Sequence, residues 1–219
     1  MYWLLFIGVM IASFIVQQSL NHKFEKYGKV PLGLTGKEVA ERMLRENGIT
    51  DVQVVSVSGT LTDHYNPENK TINLSRDVYS RASVAAAAVA AHETGHAVQH
   101  ARAYGALQLR SALVPVVSFA NKWMTWIILI GLLLINSTPI PLEIGIGLFA
   151  LTTLFAFVTL PVEVDASRRA VEWLRETRIT DGETTKMASD ALHAAAHTYV
   201  VAAISSLATL LYYIAISRR

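Results

Sequence analysis

Cysteine is absent from all 219 residues. Its absence excludes disulfides and thiolate ligation together, so any metal site must use histidine and carboxylate, the ligand set of catalytic rather than structural zinc. Charge is scarce too: 16% of residues are Asp, Glu, Lys or Arg while 52% are hydrophobic. That balance is too apolar for a soluble domain of this length and points to a membrane. The net charge of +2 gives no reason to expect nucleic acid as a partner. Met1 to Leu20 contains no charged residue and is long enough to cross a hydrocarbon core as a helix. It has neither the basic start nor the short apolar stretch of a signal peptide, so the expectation is a retained anchor.

Three further apolar stretches, Pro115 to Asn136, Leu142 to Leu160 and Tyr199 to Ser217, bring the expected number of spans to four. Lys122 interrupts the second. It stands 14 residues before Asn136, or roughly 21 Å at 1.5 Å per residue, which leaves it close enough to the near interface to snorkel. Between the second and third spans, Asn136 to Pro141 holds two prolines and no Lys or Arg, and reads as a tight hairpin. Of the 19 Lys and Arg, 11 lie in 21–110 and 5 in 162–197, so both segments are expected in the cytoplasm. Arg218 and Arg219 fall on the opposite side and run against that rule, which marks the last span as tilted or incompletely inserted.

Chemistry explains one stretch better than packing does: His92-Glu93-Thr94-Gly95-His96. Histidines four apart on an α-helix project from one face, where both imidazoles reach a single Zn²⁺. The glutamate between them lies beside the open metal position and can take a proton from water there, as the general base of a metal-dependent peptidase does. The required helix is independently expected from the alanine-rich run Ser83 to Ala91, with Ser83 as N-cap, and should continue to about Tyr104. Alanine is nearly neutral for membrane insertion, and three histidines with a glutamate are costly in lipid, so the site is expected at the membrane surface rather than within the bilayer.

Upstream, Thr35-Gly36-Lys37-Glu38 is a capping box opening a short helix with Val39, Ala40, Met43 and Leu44 inward, closed by Gly48. Asp51 to Leu61 and Thr71 to Leu74 read as strands of a hairpin turning near Asn66-Pro67, with Thr71 to Leu74 as the free edge for an extended peptide. A catalytic zinc needs a third protein ligand from the motif's side of the membrane. Two spans after His96 the chain returns there with Pro161-Val162-Glu163-Val164-Asp165, where the proline and the acids suit a helix's first turn. Glu163 and Asp165 are both candidates. His193 and His197, also four apart, lack a glutamate between them and lead into an apolar span, so interfacial anchoring accounts for them. His100 continues the motif's helical face, but as a ligand it would fill the open position.

The stretches Thr62 to Tyr65, Leu74-Ser75, Ala90 to Gln99, Leu160 to Arg169 and Thr198 to Val200 resemble the bacterial YugP-like neutral zinc metallopeptidases. The layout is also similar to the heat-shock membrane protease and prenyl-protein protease families, which pair HExxH with a downstream glutamate ligand. The resemblance implies Glu163 as third ligand, with Asp165 in reserve. It also offers His64 and Tyr199, by residue type, as transition-state stabilisers. The chain departs from those relatives at Ser167, where they carry Asp four residues after the glutamate, leaving open what holds the zinc histidine.

The expected fold is a mainly α integral membrane protein with about four transmembrane helices and a small α+β zincin-like catalytic portion. Its expected parts are an anchor at 1–20, cytoplasmic segments at 21–110 and 162–197, a two-span hairpin at 111–161 and a last helix with tail at 198–219. The expected function is a zinc-dependent endopeptidase of the cell (inner) membrane, multi-pass and facing the cytoplasm. His92, His96 and Glu163 would hold the metal and Glu93 would act as base; the partners would be the lipid bilayer and a peptide or protein substrate. A catalytically silent zinc-binding membrane scaffold is the alternative, and Glu93 argues against it because a structural site needs no base. A transporter would need polar or broken positions at mid-depth, which apart from Lys122 these spans lack.

Overall fold

Long apolar runs and a shortage of helix-breaking residues make helix the dominant element. The computed structural model describes residues 2–218; Met1 of the expected anchor and Arg219 of the terminal basic pair lie outside the described residues. The elements are α1 (Tyr2–Tyr27), α2 (Gly36–Glu46), β1 (Gln53–Val57), β2 (His64–Asn66), β3 (Thr71–Ser75), α3 (Arg76–Ser80), α4 (Val84–Ala101), α5 (Gly105–Leu133), α6 (Ile140–Glu176) and α7 (Gly182–Ser217). The chain divides into two compact units. One takes α1 as far as Ile15, Gly105–Pro161 and the chain from Thr198 onward; the other takes Val16–Tyr104 and Val162–His197.

In the first unit, α5, α6 and α7 are each long and apolar enough to cross a membrane. Large side chains such as Phe119, Trp126, Ile144 and Leu211 are exposed on them, as lipid-facing positions would be. Glycine sets how closely α5 and α6 pack: a Cβ on Gly131 would meet the Leu142 backbone at 2.5 Å, and one on Gly145 the Ile128 side chain at 2.6 Å. Thr153 on α6 and Ser206 on α7 share a hydrogen bond of 2.7 Å, and Phe6 meets Tyr212 edge-on at 5.2 Å. Trp3, Met10 and Phe14 on α1 are also exposed.

The second unit is a small α+β layer. The capping box forms as its sequence predicts: Thr35 Oγ1 accepts from the Glu38 amide at 3.3 Å, and Glu38 Oε2 accepts from the Thr35 amide at 2.8 Å. Such a cap stabilises a short helix by about 1 kcal/mol. Val39, Ala40, Met43 and Leu44 are buried as expected, and Gly48 takes φ +70° after the helix. They pack in one core with Ile72 and Leu74 of β3 and Leu174 of α6. The alanines of α4 are buried almost all round, since their small side chains let other elements close in from several directions.

Three expectations are corrected. The sheet order is β1-β3-β2, with β1 parallel and β2 antiparallel to β3. The hairpin therefore joins β2 to β3, and Thr71 to Leu74 is the central strand rather than a free edge. The extended stretch after Asp51 ends at Val57, because Gly59 (φ +108°) and Leu61 (φ +57°) turn the backbone out of strand geometry. Last, Pro161 does not begin a helix. It lies inside α6, which runs unbroken from Ile140 to Glu176, and likewise Pro115 lies inside α5. One missing amide hydrogen bond per proline is tolerated in helices this long and packed.

Candidate metal centre

Helix α4 supplies two imidazoles. Residues 92 and 96 are one turn apart, and their rings meet edge-on with centroids 4.8 Å apart. Helix α6 supplies the acid. Glu163 Oε2 lies 3.3 Å from His92 Nε2 and 3.5 Å from His96 Nε2. One ligand atom from each of His92, His96 and Glu163 falls within 4.8 Å of the others, the one such group among the described residues. The two helices come this close because Gly95 faces Ala166; a Cβ there would meet the Ala166 carbonyl oxygen at 2.8 Å.

Hydrogen bonds fix which way the imidazoles face. Gln99, fully buried, donates from Nε2 to the Val162 carbonyl at 2.8 Å and to Asp165 Oδ2 at 2.9 Å. Its Oε1 is thereby turned to His96 Nδ1, 3.0 Å away, and a carbonyl oxygen can only accept there. Nδ1 of His96 therefore carries the proton, and in the neutral ring Nε2 presents a lone pair to the Glu163 carboxylate. Ser167 Oγ lies 3.1 Å from His92 Nδ1, the ring nitrogen away from Glu163. Glu163 Oε2 is buried and makes no hydrogen bond of its own. Lone pairs from two imidazoles and a carboxylate, converging in a buried space, are electrostatically tolerable only around a cation, so these residues fit a zinc ion.

The titration behaviour follows from that arrangement. Burial alone would raise Glu163, but the two imidazoles that face its carboxylate, His92 first and then His96, outweigh it and hold the carboxyl far below the ordinary range. For His96, burial opposes the imidazolium, yet Glu163 beside it raises the pKa overall. Asp165 is also held low: burial pushes it up, and hydrogen bonds from Gln99, Arg169 and Arg168 more than offset that.

Glu93 is 8% exposed and lies outside the trio. Its Oε2 accepts from the Tyr65 amide at 3.0 Å, so β2 orients the carboxylate. Asp63, just before β2, is raised by burial against the pull of its Ser75 hydrogen bonds, and the charge of Glu93 adds to the rise.

The remaining sequence candidates separate clearly. Asp165, the reserve ligand, reaches the site only through Gln99. His100 turns its Nδ1 to the Tyr65 hydroxyl at 2.8 Å. His64 is exposed, its Nδ1 donating to the Thr62 carbonyl at 2.8 Å. His193 lies 3.5 Å from Ser189 Oγ, and Tyr199 lies on α7 in the other unit. Neither Gln99 nor the Tyr65 amide was singled out by the sequence. The spacing of Gln99, three after His96 on one helical face, is the signal that would have found it.

A family model described as "Putative neutral zinc metallopeptidase" matches residues 2–218. "Putative membrane protease YugP" of Bacillus subtilis (strain 168) is 43% identical over 219 residues, covering 97% of this chain and 96% of its own length. No solved structure matches.

Proposed function

The chain belongs to this family of neutral zinc metallopeptidases, and from that premise we propose that it is a membrane-bound endopeptidase with His92, His96 and Glu163 as zinc ligands and Glu93 as general base. The observation that carries the reading is the convergence of two Nε2 atoms and a carboxylate oxygen beside a separate, oriented glutamate. A zinc ion bound there supplies Lewis acidity toward the scissile carbonyl and toward water. Glu93 removes the proton from the attacking water and passes it to the leaving nitrogen. The Tyr65 amide holds Glu93 in line for both transfers, while Ser167 and Gln99 keep the imidazole rings turned inward. For the developing oxyanion His64 is the candidate by residue type.

The substrate strand belongs beside β2, the edge strand that touches Glu93, in place of the β3 edge expected from sequence. Tyr65 turns its amide away from β3 to reach Glu93, so its carbonyl faces the same free edge, where an extended peptide pairs. The exposed apolar face of α1 supports a fourth span. The basic flanks of 21–110 and 162–197 support an active site facing the cytoplasm of a multi-pass inner-membrane protein.

Glu93→Gln tests enzyme against scaffold. The substitution keeps the shape of the side chain and leaves the three ligands in place. Zinc content should stay near one per chain while cleavage of a peptide or unfolded membrane substrate falls at least about a hundredfold. Full cleavage with zinc retained would remove Glu93 as base. Loss of nothing measurable in the cell, with no cleavage by either form, would favour the silent scaffold.

A further inference from the structure

A cavity of about 460 Å³ lies between the end of α1, the loop 58–63 and the first turn of α4, with Phe24, Leu61, Val78, Ala85 and Ala86 on its apolar wall. Its acidic residues are already partnered. Asp63 accepts from the Ser75 amide at 2.7 Å, Asp77 pairs with Arg81 at 3.2 Å, and Glu25 pairs with Lys29 at 2.7 Å. Most of the remaining surface is apolar. Leu61 marks the rim: it is 51% exposed and its backbone sits at φ +57°, a conformation that a leucine rarely adopts. Strain of this kind concentrates where a segment contacts a ligand.

The cavity and the proposed active site lie along the same two elements. On α4, Ala86 and Glu93 are seven residues apart, as are Ala85 and His92, so each pair lies on one face about 10.5 Å apart along the axis. On the sheet, the free edge of β2 passes from Tyr65, which holds Glu93, to Asp63, which lines the cavity. An extended peptide advances about 3.4 Å per residue, so the distance of about 10.5 Å along α4 corresponds to about three residues from the scissile bond.

We propose that this cavity is a substrate subsite, resting on the peptidase reading above, that receives a bulky apolar side chain about three residues from the bond cleaved. Ala85 and Ala86 keep it open, and Leu61 closes over the occupant.

Tripeptide hydroxamates test this without a known substrate, because the hydroxamate grips zinc and the third residue reaches the cavity. Ala-Ala-Phe, Ala-Ala-Ala and Ala-Ala-Asp, with the hydroxamate placed at either end of the peptide, are titrated against zinc-loaded full-length protein in nanodiscs. In one of the two series Phe should bind at least about tenfold tighter than Ala, the gain expected from burying an aromatic side chain, and Asp should gain nothing. Ala86→Leu, which fills the cavity, should abolish the preference while leaving the affinity of the Ala probe unchanged, which also reports that the variant is folded. Leu61→Asn, tolerated at positive φ, should weaken the preference several-fold. Equal affinity for Phe and Ala in both series, or a preference untouched by both variants, overturns the subsite and leaves the peptidase reading standing. Failure of every hydroxamate to bind zinc-loaded protein overturns the peptidase reading and the subsite with it.

Discussion

Ser167 Oγ lies 3.1 Å from His92 Nδ1, the ring nitrogen opposite the one that faces Glu163. A hydroxyl thus faces this ring, and the single carboxylate of the network, Asp165, reaches the other histidine through Gln99. Partners of this kind set ligand orientation and typically contribute 10–100-fold in metal affinity. Ser167→Ala and Gln99→Ala should each weaken zinc binding by about that factor in chelator competition, with all three ligands intact. Asp165→Ala should do so as well, while Glu163→Ala should lose the metal. Full zinc in Glu163→Ala with none in Asp165→Ala would reverse the assignment of the third ligand.

Gly95 couples the distance between α4 and α6 to the geometry of the site. A methyl group there would sit 2.8 Å from the Ala166 carbonyl oxygen and 3.3 Å from its Cα, and backbone cannot move aside as a side-chain tip can. Gly95→Ala should destabilise the folded protein by about 1–3 kcal/mol, the usual cost of overpacking. It should also carry Glu163, three residues before Ala166, away from the histidines, so zinc affinity should fall even though no ligand has changed. Thermal melting together with chelator competition reads both effects, and unaltered zinc affinity would show that the helices part without moving Glu163.

The motif helix and the α2 cap were legible because their signals are local: a cap, a helical period and a run of alanines lie within a few residues of one another. The parallel pairing of β1 with β3 was not, since a short hairpin and a crossover leave similar alternation in the sequence and only the packed core decides between them. Pro161 misled in a more instructive way. Read as a helix start, it left Asp165 in reserve beside Glu163 as a candidate ligand. Within an unbroken α6, residues two apart point to nearly opposite sides, whereas Ser167, four after Glu163, shares its face. Glu163 and Ser167 then meet α4 together, and Asp165 turns toward Gln99, Arg168 and Arg169.

Orientation in the membrane is testable because the chain has no cysteine of its own. With basic flanks inside, Lys26→Cys should be shielded from a membrane-impermeant maleimide in intact cells, and Ser137→Cys, in the loop between α5 and α6, should label. Labelling of Lys26→Cys in intact cells would invert the topology and place the proposed active site outside.

Acid should loosen a tie between α1 and α7. Asp190 accepts from Lys23 Nζ at 2.7 Å and from the Tyr27 hydroxyl at 2.6 Å. Lys23 contributes most to holding its carboxyl below the ordinary range, then Tyr27, with His193 contributing least; the same contact raises Tyr27. Because the folded pKa of Asp190 is depressed, the unfolded chain takes up its proton first as pH falls. The stability contributed by this tie is therefore complete above the ordinary carboxylate pKa of about 3.9 and is lost on descending through the lower folded value. The side chain of Asp190 is 42% exposed, so solvent screening limits the contribution to about 1 kcal/mol or less. Asp190→Asn should accordingly melt earlier than the parent protein at pH 7, and the gap should narrow steadily below pH ~4. A gap that stays constant across that range would show that the substitution acts through packing rather than through the charge of Asp190.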